Sequence, residues 1–479
     1  MPKNFIRPYN HNFHQEDSNL YHPDNWEAIS ILINPLLTIP ESEAHEVSID
    51  LRLALFQKIK SSLSKVSADL CSIYCQETGL TELRFNQELE RVLFQLDHFS
   101  AFIQNGGLSV SEECKVINGK AVTYKRSFCP IGNVFVIGAS NFPLAYSTIG
   151  GDVVSALSAG CRVVYKAHPF HVGTSLFVAN LIQKSLQELQ LPKNLFVHFI
   201  DDNDHTISTS LIESGWIHAV GFTGSQAVGR YLMDQCAALS RPIPVFAEMG
   251  SVNPVVLLPK QISENISEYV SLLASSVATD AGQFCTKPGI IFYPKSSSGK
   301  SFKEALIASF CQQPQYHMLH PLIQERYQKS LTALSGIKDL EVIVNIPGEK
   351  MIEGEKMLAE VSTTTFMKTP QLHEEVFGPF ALLVSFENIK ELVDALKMIE
   401  GQLTGTIIGD KSEDGFLEVL TEFKNSCGRI ILNGVPTGVN VSSLMQHGGP
   451  YPSSSDSRFT AVGSNSIWRF IRPITFQNF

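Results

Sequence analysis

A chain of 479 residues is too long to close around one hydrophobic core, so two or three lobes are expected, with a cleft between them. Its 44% hydrophobic and 18% charged residues are ordinary for a globular protein and exclude a disordered or fibrous one. A formal net charge of -10 argues against nucleic acid or an anionic membrane surface as a partner, since both select for clustered Lys and Arg.

The opening MPKNFIRPYNHNFHQEDSNLYHP has charges and prolines where a signal peptide needs an apolar run, and no segment approaches the ~18 uncharged apolar residues of a membrane span. From Glu41 to about Ile103, apolar residues at three and four spacing in LRLALFQKI and ELERVLFQLDHF predict a helical lead-in. Within it Cys71 and Cys75 lie one helical turn apart, but no second Cys or His pair stands near to complete a metal site, and none is expected. The nine cysteines are odd in number and scattered, which fits a reducing, cytoplasmic setting and not a disulfide framework. Next, KVINGKAVTYKRS places Asn118-Gly119 between alternating residues and predicts a hairpin, a candidate arm.

From Gly132 to Val256 short apolar runs (NVFVIG, CRVVYKA, LFVHFI, IHAVGF, IPVFAE, NPVVLL) alternate with helical stretches, the pattern of a parallel, doubly wound sheet. A second series runs from about Asn265 to Asn433: a helix into GQFCTKPG, the strand GIIFYP, two helices, then FALLVSF, a helix, GTIIGD, a helix and RIILNG. It predicts a second α/β lobe. The tail SIWRFIRPITFQNF reads as an edge strand needing a partner, either the hairpin or another subunit.

Five places can carry chemistry. Cys285, in Gly-Gln-Phe-Cys-Thr-Lys-Pro-Gly, sits on a sharp turn before a strand, as an exposed thiol or as a small buried hydrophobe. Glu248 ends a buried strand at the edge where α/β folds place ligands; a structural salt bridge is the alternative. The turn Phe222-Thr-Gly-Ser-Gln-Ala-Val-Gly229 lets Gly224, Ser225 and Gly229 bring backbone N–H groups close to a pyrophosphate, or simply starts a helix. Asn141 offers an amide donor after the strand NVFVIG, and Lys166 ends CRVVYKA where it could hold ribose or phosphate.

Taken in order, Ala-Ser-Asn-Phe-Pro-Leu, the Lys166 strand, Phe-Thr-Gly-Ser, the Glu248 strand, Gly-Gln-Phe-Cys-Thr and Glu-Glu-Val-Phe-Gly-Pro resemble the aldehyde dehydrogenase superfamily over roughly residues 106 to 479. The segment ILNGVPTGVNVSSLMQHGGPYPSSSDSRFTAVG with RFIRPITFQN resembles one subgroup, that of α-ketoglutaric semialdehyde dehydrogenases and an NADP-linked fatty aldehyde dehydrogenase. The resemblance implies a dinucleotide-binding domain over 1–107 and 129–250, a catalytic domain over 251–445, an oligomerisation arm from 108–128 and 466–479, and a returning segment over 446–465. It implies Cys285 as nucleophile and Glu248 as the base that activates water. Asn141 and the Cys285 backbone N–H would hold the oxyanion. Lys166, Phe222, Gly224, Ser225 and Gly229 match positions that touch the dinucleotide, and Glu375 and Phe377 match those at the nicotinamide ribose. A homodimer or homotetramer is implied as well.

The sequence departs from this pattern at two places. Where NAD-selective members carry a Glu three residues after the lysine stands Pro169, flanked by His168 and His171, so the cofactor is expected to be NADP or NAD with NADP favoured. Asn440 stands where the subgroup has a Glu near the substrate entrance, and Arg458 is available for a substrate carboxylate. A catalytically silent dinucleotide-binding sensor is the alternative from another class. Acyl transfer to coenzyme A disagrees with the presence of Glu248.

Overall fold

The computed structural model describes residues 6–12, 15–16, 21–33 and 47–479, apart from the side chains of Glu16 and 261–266. Part of the opening segment read above, and residues 41–46 of the expected lead-in, lie outside the described residues. The described lead-in forms the helices Ile49–Lys65, Ser67–Thr78 and Glu82–Gln104. The Ser48 and Thr81 hydroxyls cap the first and third by accepting from Leu51 N and Arg84 N. One face of each is apolar and buried, with Leu55, Phe56, Ile59 and Leu63 on the first and Phe85, Leu89, Val92, Leu96 and Phe99 on the third.

The alternating series yields two α/β lobes, the fold class expected. The first holds a five-stranded parallel sheet in the order Phe196–Phe199, Arg162–Lys166, Asn133–Ile137, Ala219–Thr223, Val245–Glu248. The chain leaves the central strand in one direction and returns on its other side, so the carboxyl ends of Asn133–Ile137 and Ala219–Thr223 flank a crevice of the kind in which such sheets bind ligands. The second sheet has seven strands, in the order Glu341–Ile346, Lys356–Ser362, Phe380–Phe386, Ile290–Pro294, Val255–Leu257, Gln402–Ile408, Cys427–Leu432. All its neighbours are parallel except the antiparallel outer pair Glu341–Ile346 and Lys356–Ser362.

Two expectations are corrected. The run NPVVLL, grouped with the first series, pairs in the middle of the second sheet, because an apolar run signals burial without saying against which strands. Glu341–Ile346 and Lys356–Ser362 were not anticipated as strands. The first is an exposed, bulged edge, and the second is interrupted by Lys356 and Glu360, the latter ion-paired to Lys303 at 2.9 Å.

The hairpin forms from Ser111–Ile117 and Lys120–Pro130, with Asn118 and Gly119 at φ 52° and 75°, as a tight turn between twisted strands requires. The partner of the tail is this same hairpin: Ile471–Gln477 pairs antiparallel with residues 124–130. Ser111–Ile117 is exposed along its whole length and leaves an open edge. Among the described residues no helix is long and apolar enough to cross a membrane.

Candidate active site

Glu248 closes the last strand of the first sheet, and its carboxylate is buried there. After the second lobe the chain returns along this strand. Met249 N donates to Ser453 O at 2.8 Å, Ser455 N to Ala247 O at 3.0 Å, and Glu248 bridges to Ser454. The returning segment thereby carries His447 over the strand end, where its N–H donates to Thr460 Oγ1 at 2.9 Å and its carbonyl accepts from Ala461 N at 2.8 Å. Gly448 and Gly449 follow, with backbone from Gly428 and Gln402 packed so close that a Cβ at Gly449 would overlap the Gln402 carbonyl. As a result His447 Nε2 lies 2.8 Å from Glu248 Oε1 and 3.7 Å from Cys285 Sγ. Neither Glu248 oxygen has a well-directed hydrogen-bond partner.

Cys285 arrives from the other lobe. Before it, Asp280, Ala281 and Gly282 take φ of 49°, 54° and 63°, three successive left-handed residues. Each of the two that are not glycine costs about 1–2 kcal/mol, so the turn needs outside support. Arg84 supplies part of it, pairing with Asp280 at 3.3 Å while its guanidinium lies 4.2 Å from the Phe142 ring and 4.7 Å from the Phe284 ring. Asn253, itself left-handed at φ 47°, donates from Nδ2 to the carbonyls of Cys285 at 2.8 Å, Lys287 at 2.9 Å and Ser251 at 3.2 Å. Asn141 Nδ2 donates to Gln283 O at 2.8 Å, which ties the first lobe to the same turn. A carboxamide carries two N–H groups, so one remains for an incoming oxygen.

Burial pushes the Cys285 thiol well above its usual range, and the Glu248 and Glu375 carboxylates push it further, against a smaller opposite pull from Arg91. Glu375 is raised by its own burial and drawn down by Lys287, whose ammonium is lowered by burial and donates to Phe380 O at 2.7 Å. Glu375 stands beside Gly250, at the junction of the lobes, and Phe377 packs against the core next to it.

The remaining expected residues gather at the crevice of the first sheet. Lys166 ends its strand, its ammonium lowered by burial and partly restored by Asp201 and Asp202. Ser225 precedes the helix Gln226–Ala238 without capping it by its side chain, so its hydroxyl and the first-turn amides remain for a ligand. A Cβ at Gly224 would meet the Phe222 ring at 2.6 Å, and one at Gly229 would meet Met249 Sδ at 2.5 Å. The helix start is therefore drawn down onto a floor formed by the buried Phe222. Arg458 lies outside the site: its side chain is 80% exposed and pairs with Asp456 at 2.6 Å. His447 and Asn253 were not anticipated. The only signals were a lone histidine before Gly-Gly and an asparagine before Pro, and neither spacing points to Cys285.

A crevice at a sheet's switch point, with a thiol and a carboxylate brought face to face from two lobes, is an arrangement of the α/β enzyme class. The fold matches aldehyde dehydrogenase 21 from Physcomitrella patens in complex with the reaction product succinate, with a TM-score of 0.82 at 16% identity, over 99% of this chain and 95% of that one. It also matches glyceraldehyde-3-phosphate dehydrogenase GapN from Methanocaldococcus jannaschii complexed with NADP, with a TM-score of 0.81 at 16% identity, over 99% and 98%. Residues 41–470 match the aldehyde dehydrogenase family, and the chain belongs to it. Two α-ketoglutaric semialdehyde dehydrogenases are among its relatives. That of Acinetobacter baylyi is 35% identical over 89% of this chain and 82% of its own, and the second enzyme of Azospirillum brasilense is 32% identical over the same shares. The protein is an NAD(P)-dependent oxidoreductase acting on aldehydes.

Proposed function

We propose that the chain oxidises a short semialdehyde, with α-ketoglutaric semialdehyde as the leading candidate, through a thioester on Cys285. The observation that carries the mechanism is the contact of Glu248, His447 and Cys285, whose ligand atoms all lie within 4.8 Å of one another. A thiol held protonated by its surroundings needs a base in reach, and Glu248 faces it. Glu248 takes the thiol proton, and the thiolate attacks the carbonyl carbon to give a thiohemiacetal. The oxyanion is met by the free N–H of the Asn141 amide and the Cys285 backbone N–H; losing one such donor costs ~10²–10³ in rate. NAD(P) supplies the hydride acceptor when bound. Glu248 passes the thiol proton to bulk solvent and then takes one from the attacking water; the hydroxide adds to the thioester carbon, and the acid leaves as Cys285 recovers this second proton. His447 is a positioning residue that holds the Glu248 carboxylate against the thiol.

Lys166, Ser225 and the amides beneath Gly224 and Gly229 would hold the dinucleotide, with Glu375 and Phe377 at its nicotinamide ribose. NADP is favoured. The chain after Lys166 runs into Pro169 without a carboxylate, and both Asp201 oxygens are taken up by Ile207 N, Ser208 N and the Ser208 hydroxyl. The open edge of the hairpin supports assembly into a homodimer or homotetramer, and the nine free cysteines support a reducing, cytoplasmic setting. Initial rates with semialdehydes and alkanals, each with NAD and NADP, test the reading. Cys285→Ala abolishes cofactor reduction while leaving dinucleotide binding in place. Full turnover by that variant removes the proposal, and binding without turnover by the unaltered protein favours the silent sensor.

A further inference from the structure

Two arginines reach the stretch 436–439 from different lobes. Arg91, on the helix Glu82–Gln104, donates to the Val439 carbonyl and, at 3.1 Å, to the Tyr146 hydroxyl. Its guanidinium carbon stands 5.4 Å from the centre of the Tyr146 ring. Arg429, on the strand Cys427–Leu432, donates to Gly438 O at 3.0 Å and to the Pro436 carbonyl. The Tyr146 ring lies 6.1 Å from the His447 ring, whose Nε2 is 3.7 Å from Cys285 Sγ, so Arg91 borders the approach to the thiol, and Arg429 is tied to the same stretch of chain as Arg91.

Both lack a counter-ion among the described residues, as Arg52 and Arg162 do, and what sets them apart is that they meet on 436–439. Arg84 pairs with Glu88 and Asp280, Arg469 with Asp152, and Arg458 with Asp456. Among the described residues no carboxylate pairs with Arg91 or Arg429. Their bonds go to neutral oxygens, and the Nε of each is buried without a partner. A guanidinium offers five N–H groups in a planar fork suited to a carboxylate, so each retains donors for one. Two part-buried cations tied to one four-residue stretch are costly unless an anion arrives to meet them. The surroundings of the thiol itself are acidic, with Glu248 and Glu375 acting on Cys285. A molecule with an aldehyde at one end and a carboxylate at the other therefore enters in one direction only.

We propose that Arg91 and Arg429 jointly bind the carboxylate of an oxo-acid substrate and so set the enzyme's preference for anionic over neutral aldehydes. The proposal rests on the aldehyde-oxidising reading of Cys285. Its test compares kcat/KM for α-ketoglutaric semialdehyde and for hexanal in the unaltered enzyme, Arg91→Gln, Arg429→Gln and Arg429→Lys. The ratio of the two falls about 10- to 100-fold in each Gln variant, through KM for the anionic substrate, as expected for loss of a charge-assisted hydrogen bond. Lys restores part of it. A ratio unmoved while both rates drop shows that the arginines only brace 436–439, and it overturns the proposal. Calorimetry with α-ketoglutarate needs no turnover, and its affinity falls in the same variants. If the unaltered protein oxidises neither aldehyde yet binds α-ketoglutarate in an arginine-dependent way, the reaction is misread and the anion site stands. If it oxidises hexanal while neither Gln change weakens α-ketoglutarate binding, the anion site alone is refuted.

Discussion

Asn253→Ala tests whether the Cys285 turn is held from behind. Asn253 is fully buried; its Nδ2 serves the carbonyls of Cys285, Lys287 and Ser251, and its Oδ1 accepts from the Ser251 and Thr404 hydroxyls at 3.0 and 2.9 Å. The hydroxyls can turn to other acceptors, whereas the carbonyls cannot follow a vanished donor. Buried polar groups left unpaired cost about 1–3 kcal/mol each, and the left-handed backbone disfavours Ala by about a further 1 kcal/mol. Allowing for relaxation, the expected loss is about 3–6 kcal/mol, in the range reserved for broken buried networks. The midpoint of urea unfolding, followed by tryptophan fluorescence, reads the stability term. Turnover per folded molecule reads the second effect: a thiol displaced by ~1 Å costs on the order of 10² in kcat. Asn253→Asp keeps the acceptor and loses the donors, so it behaves like Ala and not like the parent. A variant within about 1 kcal/mol of the parent with normal kcat refutes the idea that these bonds position Cys285.

Three further outcomes are expected. Glu248→Gln slows both the burst of reduced cofactor and the steady state, since it removes the base for the thiol and for water alike; His447→Gln lowers the same steps, and the double variant is no worse than Glu248→Gln alone, because the two act as a unit. Additive losses in that cycle separate their roles. Alkylation of Cys285 by iodoacetamide without cofactor keeps rising with pH through the ordinary thiol range of ~8.5, because burial and the Glu248 and Glu375 charges hold the proton on sulfur. The same sign makes the fold lose stability as pH rises through that range, where the unfolded chain ionises first, and a labelling plateau below neutral pH contradicts both. Added Zn²⁺ inhibits reversibly by taking the thiolate, the carboxylate and the imidazole that meet at the site, and a chelator restores activity. Insensitivity to Zn²⁺ shows that the three groups do not converge in solution.

Much of the fold is readable because the first-lobe strands are near-continuous apolar runs, which only a sheet covered on both faces can bury. Cys285, Glu248 and Asn141 each stand where a strand or turn ends, so local sequence marks them as candidates, although only resemblance joins them. His447 carries no such mark. It lies 162 residues beyond Cys285 on a segment without regular structure, and only the pairing of Ser453–Ser455 along the Glu248 strand brings it home. Arg91 reads as one more polar position on an amphipathic helix, and Arg429 as a charge within an otherwise apolar strand. Long-range return of a chain is a property of the packed whole, and periodicity cannot report it.

The surroundings of Glu248 support the proposed base over the structural ion pair that its sequence context also allowed. A carboxylate kept for stability needs a strong donor set, since an ionised group taken out of water costs several kcal/mol unless it is paired. Asp152 shows what that looks like, with Arg469 at 2.8 Å, and so does Glu77, which accepts from two backbone amides and a hydroxyl. Among the described residues Glu248 has neither an arginine nor a lysine against it, only an imidazole at 2.8 Å and a thiol whose proton it disfavours releasing. An arrangement that weakens the fold and leaves both oxygens free to exchange a proton is poorly built for a structural ion pair. It suits a base that must pick up protons from sulfur and then from water, and release them, within one turnover.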